Sequence, residues 1–155
     1  MAEIQLIIYD FDGVMTDNKV FLMDDGHEAV VVNRSDGLAV AKIKEMGISQ
    51  IIVTSETNPV VAVRARKLGI PILQAVTDKK TAVKKLLKER GIDVNNVVFI
   101  GNDLNDEDVM RFIGWPIASG DACPRIKKIA RVVLSANGGC GVVREFLNFL
   151  TKEAR

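Results

Sequence analysis

The apolar residues of this chain keep two different rhythms. From Ile4 to Tyr9 they run almost without a break, too densely for one face of a helix, which predicts a buried strand. Shorter runs at Gln50–Thr54, Ile72–Gln74, Val97–Ile100, Pro116–Ala118 and Val132–Leu134 predict further strands. Between them the spacing turns helical, with good boundary signals. Asn58-Pro59 offers a cap followed by a proline at the first helical position, predicting a helix over Pro59–Leu68 that stops at Gly69. Lys79–Arg90 carries Val83, Leu86 and Leu87 on one face and stops at Gly91. Helices are also expected over Gly37–Met46, Glu107–Phe112, Pro124–Ala130 and Val142–Lys152. Strand and helix in alternation predict an α/β, doubly wound, Rossmann-like and mostly parallel sheet with right-handed crossovers. One stretch departs from this rhythm. Val20–Met23, the turn residues Asp24-Asp25-Gly26, and Glu28–Asn33 predict a β-hairpin over about 19–33, projecting from the sheet edge where ligands bind.

Composition narrows the picture. The 155 residues suit one domain over 1–155, and 48% apolar content with 12 Gly and 4 Pro excludes a disordered or collagen-like chain. A net charge of +1 gives no footprint for nucleic acid. No apolar run approaches the roughly 20 residues of a membrane span. The opening MAEIQLIIYDFDG has no basic stretch ahead of its apolar run, unlike a signal peptide. Cys123 and Cys140 are far apart and lack metal or disulfide spacing. The expectation is a cytoplasmic protein with neither membrane nor nucleic-acid partners.

In a doubly wound sheet, ligands bind beyond the carboxyl ends of the strands. After the first strand come Asp10, Asp12 and Gly13; after the second long run, Thr54 and Ser55. Lys79 opens the helix after Ile72–Gln74, and Gly101-Asn102-Asp103-Leu104-Asn105-Asp106 follows Val97–Ile100. These carboxylates, hydroxyls, an ammonium and an amide suit a hard cation and a phosphate. Asp10 and Asp12, two residues apart, face the same way in extended chain, so one can attack phosphorus while the other reaches the leaving oxygen. Phosphoryl transfer needs mainly positioning and charge neutralisation, which a divalent cation and one lysine supply.

These stretches resemble the four motifs of haloacid dehalogenase superfamily phosphatases, in order and over nearly the whole chain. Asp10-Phe11-Asp12-Gly13-Val14 with Thr16-Asp17 matches the first, and Thr54-Ser55, Lys79 and the Gly101–Asp106 stretch match the others. The likeness is strongest to the capless subclass acting on acid-sugar phosphates: the 3-deoxy-octulosonate 8-phosphate phosphatases and the phosphatase domains of acylneuraminate cytidylyltransferases. Asn33-Arg34-Ser35-Asp36-Gly37, Asp78-Lys79, Asp121-Ala122 and Gly138-Gly139-Cys140-Gly141-Val142-Val143-Arg144-Glu145 add to it.

The resemblance implies a Mg²⁺-dependent phosphatase working through an aspartyl-phosphate on Asp10. Asp12 would be general acid and then base, giving its backbone carbonyl to the metal. Thr54 and Lys79 would hold the transferring group. The third protein ligand would be Asn102 or Asp103; many relatives carry two Asp here, so Asn102 removes one charge. Ser55, Glu56, Arg64, Lys67 and Asn33 are the residues expected at the substrate, Arg64 and Lys67 being three apart and so on one helix face. Glu56 and Asn102 favour a nonulosonate 9-phosphate over a 3-deoxy-octulosonate 8-phosphate, and Arg64 and Lys67 could meet the sugar carboxylate. No cap domain is encoded, so the resemblance implies a homotetramer in which a neighbouring subunit completes the site. Two competing functions are a non-catalytic oligomerisation domain, suggested by Asn102 and Ser55, and a broad sugar-phosphate phosphatase. A surface ion pair is the plain structural reading of Arg144 and Glu145.

Overall fold

The computed structural model describes residues 4–153. Its centre is a six-stranded sheet of β1 (Leu6–Tyr9), β4 (Ser49–Val53), β5 (Ile72–Leu73), β6 (Val97–Gly101), β7 (Trp115–Ala118) and β8 (Val132–Val133), ordered β5-β4-β1-β6-β7-β8. Every pairing in it is parallel. The first strand of the chain therefore lies inside the sheet, between β4 and β6.

Strand residues alternate between the two faces, and helices cover both. On one side Ile7, Tyr9, Ile52 and Ile100 meet α1 (Arg34–Glu45), α2 (Pro59–Leu68) and α6 (Val142–Glu153) through Val40, Ile43, Val61 and Phe146. On the other, Leu6, Ile8, Val53 and Phe99 meet α3 (Lys79–Arg90), α4 (Glu107–Phe112) and α5 (Pro124–Ile129) through Val83, Leu87, Met110 and Ile126. This double burial is why the strands read as continuous apolar runs. No cap domain accompanies the sheet among the described residues.

The helix boundaries follow the chemistry of their ends. Asn58 accepts a hydrogen bond from the Val60 N–H ahead of Pro59, while Gly69 and Gly91 close α2 and α3 in the left-handed conformation. Helix α1 starts at Arg34, three residues before the expected Gly37, because the Asn33 side chain caps it by accepting from Ser35 N–H. The hairpin is also shorter than expected. β2 (Phe21–Leu22) and β3 (Glu28–Ala29) pair about a turn containing Gly26 at φ 86°, with one isolated antiparallel bridge, Thr16 to Val32, at the base. Its apolar residues stand in solvent, with Phe21 63% and Leu22 69% exposed. Among the described residues no helix is long and apolar enough to cross a membrane.

Candidate active site

Asp10 continues the β1 ladder by donating its N–H to the Ile100 carbonyl, and its side chain is buried at the carboxyl end of the sheet. Its Oδ1 accepts from Phe11 N–H and from Lys79 Nζ, both at 2.8 Å. Both contacts fall on Oδ1, and Oδ2 has no hydrogen bond among the described residues. Lys79, first residue of α3, also donates at 2.7 Å to Oδ1 of Asp106, on the short helical turn after β6. A buried ammonium thus lies between two buried carboxylates. Burial above all, then the like charge of Asp106, pushes the Asp10 pKa up to about 7 despite Lys79. Burial opposes the charged form of Lys79, but Asp10 and Asp106 outweigh it and hold its pKa above the ordinary lysine value.

Beyond Asp10 the chain turns sharply, and the Phe11 carbonyl accepts from the N–H groups of Met15 and Thr16. The Thr16 hydroxyl donates to Asp12 Oδ1 at 3.2 Å and accepts from Gly13 and Asn18 N–H. Burial raises the pKa of the half-buried Asp12 carboxyl against this hydrogen bond. Gly13 is required twice over. Its φ is 81°, and a Cβ there would come within 1.8 Å of Asn102 Nδ2.

Asp10 and Asp12 border an open cavity of about 540 Å³ with Thr54, Ser55, Glu56 and Asn102. Thr54 is buried and accepts from Glu56 N–H, while Ser55 Oγ accepts from Asn105 Nδ2. One oxygen of Glu56 is already engaged by the N–H groups of Thr57 and Asn58. Glu28 of β3, whose Oε2 accepts from Asn58 Nδ2, and Asp103 add further carboxylates. No lysine, arginine or histidine lines the cavity among the described residues.

The donors at its floor suit a magnesium ion. Asn102 is 7% exposed and its Oδ1 is buried without a hydrogen-bond partner among the described residues, so an oxygen donor is left available. With both carboxylates ionised, Asp10 and Asp106 share the one positive charge of Lys79, which leaves the buried trio a net negative charge for a cation to offset. No trio of His, Cys, Asp and Glu side chains surrounds a metal position among the described residues. The side chains of Asp10 and Asn102 offer carboxylate and amide oxygens, both hard donors. The exposed Asp103 instead directs Oδ1 to Leu104 N–H at 2.7 Å, capping the next turn.

Asn33, Arg64 and Lys67 do not line this cavity. Asn33 is occupied in capping α1 and in donating to the Gly139 carbonyl. Arg64 Nη2 donates to the Asn33 carbonyl at 3.0 Å, tying α2 to the start of α1, and Lys67 is exposed on α2. Asp106, expected in the crevice with the fourth motif but given no role there, and Glu28, not expected there, also contribute. Asp106 holds Lys79 and, through Oδ2, accepts from Asn102 N–H at 2.9 Å. Glu28 comes from the hairpin; the D-G turn signalled the hairpin but not which of its residues faces the cavity.

Residues 43–146 match the sequence pattern of the haloacid dehalogenase-like hydrolases. The chain is 34% identical over 150 residues to the 3-deoxy-D-manno-octulosonate 8-phosphate phosphatase of Yersinia pestis, covering 96% of this chain and 80% of that protein. Among solved structures, the corresponding Moraxella catarrhalis phosphatase in complex with magnesium, phosphate and KDO superposes with a TM-score of 0.92 at 32% identity, over 96% of this chain and 86% of that one. A HAD family hydrolase from Streptomyces avermitilis gives the same TM-score at 40% identity, over 94% and 90% of the two chains.

Proposed function

The chain belongs to the haloacid dehalogenase-like hydrolases, and from that membership we propose a Mg²⁺-dependent phosphatase that removes phosphate from a small acid-sugar phosphate. The observation carrying this reading is the buried Asp10–Lys79–Asp106 array beside the unpartnered Asn102 oxygen. Asp10 Oδ2 attacks phosphorus, and the phosphorus–oxygen bond to the sugar breaks. Asp12 gives its proton to the departing alkoxide. Asp12 then takes a proton from the water that attacks the aspartyl-phosphate, which releases inorganic phosphate and restores Asp10. Lys79 orients Asp10 and offsets charge on the transferring group, with Thr54 and Ser55 beside it. Asp10, the Asp12 carbonyl and Asn102 would hold Mg²⁺, which when bound neutralises charge on the phosphoryl oxygens.

Substrate choice rests with the upper cavity. Its walls carry Glu28, Glu56 and Asp103 and, among the described residues, no cationic side chain, a lining unsuited on its own to a sugar carboxylate. Arg64 and Lys67, away from this cavity, would reach a substrate only across an interface between copies. The exposed apolar hairpin supports a homo-oligomer, with a homotetramer as its expected form, whose neighbouring subunit completes the site. Glu56 and Asn102 favour the nine-carbon acid sugar over the eight-carbon one. Residues 1–155 form one domain in this reading, and its setting is the cytoplasm.

The test is phosphate release from nonulosonate 9-phosphate, 3-deoxy-octulosonate 8-phosphate and a plain hexose phosphate, with Mg²⁺ and with chelator. Turnover is expected only with Mg²⁺, highest on an acid sugar, and absent in Asp10→Asn. Full turnover by that variant removes the nucleophile from the account, and equal turnover of all three esters leaves a broad sugar-phosphate phosphatase. No turnover of any ester leaves the non-catalytic oligomerisation domain.

A further inference from the structure

The loop that carries Asp12 is braced from behind by a second loop, residues 135–139, between β8 and α6. Gly139 N–H donates to the Val14 carbonyl at 3.1 Å, and the two backbones are in direct contact. A Cβ on Gly138 would lie 2.4 Å from the Gly13 carbonyl oxygen, and one on Gly139 would lie 2.6 Å from Asp17 N. Such an approach admits only glycine. The bracing loop makes no regular ladder of its own, so its position depends on what holds it.

Asn33 Nδ2 and Gly120 N–H donate to its Gly139 and Ala136 carbonyls, and two carboxylates hold its N–H groups. Glu145, in the first turn of α6, accepts from Ser135 N–H through Oε1 at 3.0 Å and from Ala136 N–H through Oε2 at 2.6 Å. Asp121, in the loop after β7, accepts from Gly138 N–H through Oδ1 at 2.9 Å. Charge-assisted hydrogen bonds to backbone N–H groups are among the stronger ones. Glu145 makes this clamp rather than an ion pair with its neighbour Arg144, whose guanidinium turns to the Ser35 carbonyl.

The geometry points to Glu145 and Asp121 as positioning residues for proton transfer by Asp12. They fix loop 135–139, loop 135–139 fixes the backbone of 13–17, and Thr16 on that backbone donates its hydroxyl to Asp12. The inference rests on the phosphatase reading and deepens it. The clamp touches neither substrate nor metal donors, so loosening it should disturb the placement of the Asp12 proton more than it disturbs phosphorus attack by Asp10, which Lys79 and Phe11 N–H hold separately.

The leaving group separates these effects. An alkoxide departs only if protonated, whereas p-nitrophenolate leaves unaided, and kcat/KM reports the step in which either departs. Glu145→Ala is expected to lose about 10-fold or more in kcat/KM on the better acid-sugar phosphate, but less than about 2-fold on p-nitrophenyl phosphate. Glu145→Gln, keeping one acceptor, should fall between Glu145→Ala and wild type. Asp121→Asn reaches the same loop from another element and should show the same selective loss even if Glu145→Ala fails to fold. Equal losses on both esters, or none, overturn the positioning role while leaving the phosphatase intact. A wild-type chain inert on both esters instead removes the phosphatase reading, and the positioning role with it.

Discussion

Lys79 and Asp106 meet at 2.7 Å with the lysine side chain 1% exposed and the carboxylate fully buried. Neither residue has water to fall back on, and the other Asp106 oxygen holds the backbone at Asn102. In Asp106→Asn, one amide orientation turns its NH2 toward the ammonium, and the other turns it toward the Asn102 N–H. Breaking a buried pair of this kind typically costs about 3–5 kcal/mol. Denaturant unfolding should show a loss of that order, and kcat should fall by about 100-fold or more as Lys79 loses its anchor.

Asn102→Asp is expected to act in opposite directions with and without metal. A third buried acid near Asp10 and Asp106 adds like-charge repulsion, so the Mg²⁺-free protein should melt at a lower temperature than wild type. The same carboxylate adds charge to the donor set, so Mg²⁺ should bind roughly 10-fold more tightly, since binding strength in such sites follows ligand charge. Calorimetric titration and melting with and without Mg²⁺ check both halves. Unchanged affinity would mean that Asn102 does not face the metal.

Asp36 offers a test of stability against pH. It is buried in α1, with Oδ1 accepting from Arg144 N–H and Oδ2 unpartnered among the described residues. Burial raises its pKa, opposed by hydrogen bonds from the Arg144 and Val143 backbone and by the charges of Arg64 and Arg144. An acid with a raised folded pKa contributes stability that is full below its unfolded value of 3.8 and is lost as the pH rises through the folded value. The melting-temperature advantage of wild type over Asp36→Asn should therefore shrink from pH 4 toward pH 7. An advantage that grows over that range contradicts the burial argument.

The exposed hairpin makes a further demand. Phe21 and Leu22 pair with β3 but bury little against their own chain, and large apolar side chains left this exposed mark a contact surface. If the proposed tetramer forms, changing both to Asp should turn it into folded monomers by sedimentation, with circular dichroism unchanged. Turnover of acid-sugar phosphates should fall further than turnover of p-nitrophenyl phosphate. A wild-type chain that sediments as a fully active monomer removes this role.

Much of this was legible before any coordinates. The strands were readable because burial on both faces leaves no polar gaps, and α2 and α3 because Asn58-Pro59, Gly69 and Gly91 are strong local signals. The start of α1 was harder, since Gly37 looks like a boundary and only the hydrogen bond of Asn33 reveals the cap. Asp10, Asp12, Thr54, Ser55 and Asn102 follow strand ends and converge as the topology requires. Asp106 and Glu145 stood in the motifs, yet their partners, Lys79 and the backbone at 135–136, are fixed only by tertiary packing. Arg64 read as a free cation because spacing cannot tell a solvated guanidinium from one tied to the Asn33 carbonyl.

The interior position of β1 has a consequence for how the protein comes into being. Asp10 is made before the groups it needs: the lysine and second acid arrive with Lys79 and Asp106, and both flanking strands follow β1 in the chain. A nascent chain therefore carries an inert aspartate until the segment from Asp10 through Asp106 has left the ribosome. Chemistry and completed folding switch on together, so an interrupted or half-assembled product has no hydrolytic activity to misdirect.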